Sequence, residues 1–206
     1  MFSTNTKPTS PKPKQRYLEV RFGTSWPDQK TMQIEENLLQ KIPYFADAIT
    51  SGSMIFSETQ RFGDCSVETF ESVLQYIKSG ELQSLAPSDD DVMLDHTKAV
   101  SYARQFVVAH RLGLKYIEDA LAIEIVNFEV KSGKPSPRVV EILSEAGLQS
   151  SDLYAKLMVG MARAVRDGSY SDTEHQKMDK TYAQLFLRWE KGDLMALLGV
   201  VGGMKG

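Results

Sequence analysis

The sequence predicts an α+β fold, a strand pair followed by helices and then by an all-helical extension. Three observations carry this. Residues 17–22 and 30–35 alternate apolar and polar side chains with period two, as half-buried strands do. After Glu35 the period changes to that of a helix. The later apolar stripes are punctuated by Ser, Pro and Gly at positions where helices start and stop.

In the first strand Leu18, Val20 and Phe22 face one way, and Glu19 and Arg21 the other. Residues 23–29, with Trp26-Pro27-Asp28, form the turn, and Trp26 is expected to fold back over the hairpin. The second strand runs through Met32 and Ile34. Leu38 and Leu39 then require burial in a short helical piece. Pro43 disfavours helical geometry at Ile42 and suits the first position of a new helix, which is expected over Pro43–Ile49 with Phe45 and Ile49 inside. Thr59 to Phe62 is expected as a weakly patterned third strand.

The most clearly bounded helix is VETFESVLQYIKS. Ser66 is placed to cap it, Glu68 and Glu71 lie near its positive end, and Gly80 terminates it. Val67, Phe70, Val73, Leu74 and Ile77 make its apolar stripe. Residues 82–95 are polar and acidic and read as a solvated loop. Their spacing lacks the glycine and terminal glutamate of a calcium loop.

Helices are expected next over Lys98–Arg111, with Val100, Ala103, Val107 and His110 on one face, and over Lys115–Phe128, burying Ile117, Ala120, Leu121, Ile125 and Phe128. Gly113 separates them. KSGKPSP reads as a linker, with Ser136 as cap and Pro137 at the first helical position, and Gly147 ends that helix. Ser151–Val165 and Thr173–Glu190 are expected as further helices. They would bury Leu153, Leu157 and Met161, then Tyr182, Leu185, Phe186 and Trp189. The domain reading is a disordered tail over 1–15, a first domain over 16–130, a helical extension over 131–198 and a Gly-rich tail over 199–206.

Bulk composition excludes several function classes. The 206 residues carry a net charge of −3, a balance that does not point to nucleic-acid binding, which usually needs a basic face. No run approaches the roughly 20 apolar residues of a membrane-spanning helix. A single cysteine, Cys65, allows neither an internal disulfide nor a multi-cysteine zinc site. No GxSxG, GxxxxGK[ST] or HExxH pattern is present, and His96, His110 and His175 do not cluster. The expectation is a protein of the cytoplasm or nucleus with no catalytic residues, no metal and no cofactor. An enzyme would need His110 or His175 to meet Cys65 or a carboxylate through folding.

The order of these pieces resembles the BTB/POZ domain. YLEVRFG, KTMQIEENLLQKIPYF and VETFESVLQYIKSGEL stand where that family has its first strand, then the returning strand with a short helix and a Ser-Pro-Tyr-Phe-like turn, and then a helix ending in Tyr-Thr-Gly. In VVAHRLGLKYIEDALAIEIV, Ala109, Leu112, Gly113, Leu114, Ile117 and Ala120 fill the family's Ala, Leu-Gly-Leu, aliphatic and Ala places. The resemblance covers about residues 16–130 and implies a small mixed sheet covered by helices for that stretch.

There are departures. Tyr17 and Ile34 stand near the positions of the family's buried Asp–His pair, Ile42 replaces the usual Ser before Pro, and Lys78-Ser79 replace Tyr-Thr. The resemblance implies a non-catalytic protein–protein interaction module with protein partners, a cullin of a ubiquitin ligase among them, and homo- or hetero-dimer formation. The alternative it implies is a nuclear transcription or chromatin cofactor that uses the domain as a dimeriser. Family cullins dock on the helix matching Val67–Ile77, the loop after it and a later helix. That gives Tyr76 as anchor, with Lys78 and Glu81 at its rim. Self-association is expected around Leu38 and Ile42, because the polar tail before Tyr17 suits strand exchange poorly.

Overall fold

The structure, a computed structural model, describes residues 15–22, 30–51, 65–83, 97–129 and 133–170. Among them are a two-stranded antiparallel sheet and seven helices, so the protein is α+β and mostly helical. The turn with Trp26, the expected third strand at 59–62, most of the acidic 82–95 stretch, the helix expected over Thr173–Glu190 and both tails lie outside the described residues. The chain divides into two compact units, Met1–Asp64 and Cys65–Gly206. That division falls well before the linker near residue 131 that composition suggested.

In the first unit, β1 (Tyr17–Phe22) pairs with β2 (Lys30–Glu35), with Leu18 opposite Ile34 and Val20 opposite Met32. Leu18, Val20, Phe22 and Ile34 are buried, and the intervening Arg21 is exposed, as period-two alternation demands. On the outer face Arg21 Nε donates to Glu19 Oε1 at 2.7 Å. Tyr17 is half exposed and pairs with Glu35, so it lies on the opposite face from Ile34. The buried cross-strand pair is therefore Leu18–Ile34, two apolar side chains with no polar group left without a partner.

β2 runs directly into α1 (Glu36–Leu39), a single turn that buries Leu38 and Leu39. The Glu36 amide donates back to the Arg16 carbonyl at 2.9 Å, tying the turn to the start of β1. Ile42 is extended, at φ −102° and ψ 113°, and Pro43 opens α2 (Pro43–Thr50), which is the geometry expected of a residue before proline. Phe45 is fully buried, but Ile49 is only half-buried, so α2 contributes one large side chain to the interior rather than two.

Among the described residues of the second unit, every regular element is a helix. Ser66 caps α3 (Val67–Ser79): its Oγ accepts the Thr69 amide at 3.1 Å. Gly80 closes the helix at φ +74°, a left-handed conformation that only glycine adopts without strain, and its amide donates to the Tyr76 carbonyl at 2.8 Å. Phe70, Val73 and Leu74 are buried. Val67 and Ile77 are half-buried, while Thr69 and Ser72 are buried beside the stripe.

The helix α4 (Thr97–Arg111) packs against α3, α5 (Lys115–Glu129) and α6 (Pro137–Glu145). It is therefore buried on most sides, not along one face. Ala99, Ala103 and Ala109 are inaccessible, and such small side chains let neighbouring helices approach closely. Its buried Gln105 is satisfied by the Gln83 carbonyl at 2.8 Å and the Ser101 hydroxyl at 3.2 Å. That contact fastens the segment after α3 onto α4. Val107 is half-buried and His110 exposed, so the expected face was only partly right.

Gly113, at φ +72°, turns α4 into α5, and Leu112 and Leu114 on either side of it are buried. In α5, Ile117, Leu121 and Ile125 point inward, but Ala120 is half-buried and Phe128 exposed. The helix α7 (Asp152–Arg166) packs on α5 and α6, with Leu153, Leu157 and Met161 buried as expected. Its start is capped by Ser151, whose Oγ accepts the Tyr154 amide.

Ser136 occupies the position before α6, but its hydroxyl makes no capping bond. Its backbone amide instead donates to the fully buried carboxylate of Glu129 at the end of α5. The tie is closed by Tyr170, whose hydroxyl donates to the Pro135 carbonyl at 2.6 Å.

Candidate partner-binding surface

Tyr76 lies in the last turn of α3, off the buried stripe, and is half-buried. Its ring centre is 6.2 Å from that of Tyr116 in the first turn of α5, with 34° between ring planes. Tyr116 is 53% exposed, so the pair presents aromatic surface to solvent. Rings at this separation contribute dispersion and quadrupole attraction while keeping two polar hydroxyl tips. Partial burial, and secondarily the neighbouring Tyr76, raise the Tyr116 phenol above its ordinary value. It is neutral at physiological pH.

Lys78 and Glu81 are both exposed, at the end of α3 and just beyond it. Lys78 stands in the last turn, where a cation complements the negative end of the helix dipole. The Glu81 amide donates to Ser79 Oγ at 3.2 Å, which orders the chain where it leaves the helix. Tyr116 adds a neighbouring charge, Lys115, whose ammonium lies 3.1 Å from Asp119 and 3.5 Å from Glu118. The bond to Asp119, then the charge of Glu118, raise the Lys115 pKa, so this lysine stays cationic. The tyrosine pair thus joins the end of α3, where Lys78 is exposed, to the start of α5, where Lys115 is exposed.

Sequence reasoning picked Tyr76 but missed Tyr116. A signal existed. Ile117, Leu121 and Ile125 define the inward stripe of α5, and Tyr116 falls outside it, directly after the Gly113 turn. What the sequence could not supply was the approach of α5 to the end of α3 in space.

The self-association candidates are placed differently. Ile42 is inaccessible and Leu38 is 7% exposed. Both side chains therefore belong to the interior, and their neighbours Lys41 and Gln40 hold the exposed positions.

Of the residues considered for catalysis, His110 is exposed, with Nδ1 3.3 Å from the largely buried Glu118 carboxylate. Cys65 is buried, its Sγ 3.3 Å from the Ser66 carbonyl. His96 and His175 lie outside the described residues. Among the described residues no group of three or more His, Cys, Asp or Glu could hold a metal ion. No helix among them is long and apolar enough to cross a membrane.

No protein-family model, no curated protein and no solved structure matches this chain.

Proposed function

We propose that the protein is a divergent BTB/POZ-like interaction module that works without catalysis and docks a cullin through the end of α3 and the start of α5. The observation that supports this reading most is the run of elements. Two paired strands, a proline-started helix, a Ser-capped helix closed by a left-handed glycine, and a Leu-Gly-Leu turn between two helices follow one another among the described residues, at the sequence pieces that carry the resemblance. The Tyr76–Tyr116 pair supplies what an interface core needs, aromatic area that is already partly desolvated and held by two helices. Lys78, Glu81 and Lys115 stay hydrated around it and set the approach and register of a partner more than its affinity.

The test is co-elution of the purified full chain with the N-terminal domain of a cullin on a sizing column, with the partner in excess. A complex that elutes ahead of both components is the expected result. Separate elution at every concentration tried would remove the cullin-adaptor reading.

A further inference from the structure

We draw no further inference here: the strongest candidate, the exposed apolar side of α5 around Ile123 beyond the tyrosine pair, carries nothing because no feature of the structure shows what covers it.

Discussion

At the scale of single residues, the second unit depends on a few side chains whose contributions differ in kind. Phe70 is completely buried, so Phe70→Ala removes a large apolar surface and leaves a void. The expected loss is about 3–5 kcal/mol, seen as a large fall in melting temperature. Ser66→Ala deletes the acceptor of the Thr69 amide and should cost about 1 kcal/mol, with rescue by Ser66→Asp. An unchanged melt for Phe70→Ala would mean that the α3 stripe does not face the core. Tyr116 gives a prediction in pH. Its folded pKa lies above the ordinary 10.0 because burial disfavours the phenolate. The unfolded chain therefore loses this proton first as pH rises. Whatever stability the shift contributes is intact below about 10 and is lost as pH climbs through the folded value. Tyr116→Phe should flatten the decline of melting temperature in that alkaline range. An unaltered alkaline decline in the variant would contradict the assignment.

At the scale of elements, caps and periods were readable and neighbours were not. The β1–β2 alternation, Pro43 at a helix start, Ser66 and Gly80 at the ends of α3, and Gly113 and Gly147 at turns are all local signals, and the structure carries each of them. Ser136 was misread as a side-chain cap: its hydroxyl makes no capping bond, and the Val139 amide that it would have capped donates to the Ser136 carbonyl at 3.2 Å. The one-sided reading of α4 failed too. Periodicity finds a single apolar stripe, whereas α4 touches three helices and also buries Ser101 and Gln105. Polar residues of that sort break the pattern in sequence and are satisfied only by tertiary partners. Two expected outcomes belong here. Ala103→Leu should destabilise by about 1–3 kcal/mol in a chemical melt, because there is no room for the added carbons beside the packed helices. Gly80→Ala should cost roughly 1–2 kcal/mol although a methyl group meets no atom there, because the backbone lies at φ +74°. An Ala103→Leu variant as stable as the parent would show that α4 is not the packed centre of its unit.

At the scale of the whole molecule, the sequence led to an α+β chain and to its change from strand to helix, but not to its division. The break at Asp64–Cys65 is marked by no proline-rich linker of the kind found near residue 134. Instead, α6 and α7 join α4 and α5 in one unit, because the apolar stripes of Val139–Leu143 and Leu153–Met161 are buried together with them. The candidate surface depends on the same packing, since Tyr76 and Tyr116 are 40 positions apart in sequence and meet only because α3, α4 and α5 assemble. The central claim is that this tyrosine pair anchors a cullin. Its most direct test is a calorimetric titration of the full chain, and of its Tyr76→Ala and Tyr116→Ala variants, with a cullin N-terminal domain, alongside thermal melts of each. The account predicts micromolar or tighter binding by the parent, weakened at least about tenfold in each variant, which corresponds to roughly 1.4 kcal/mol, with helical content and cooperative melting retained. Undiminished affinity in both folded variants, or no binding by the parent, would contradict it.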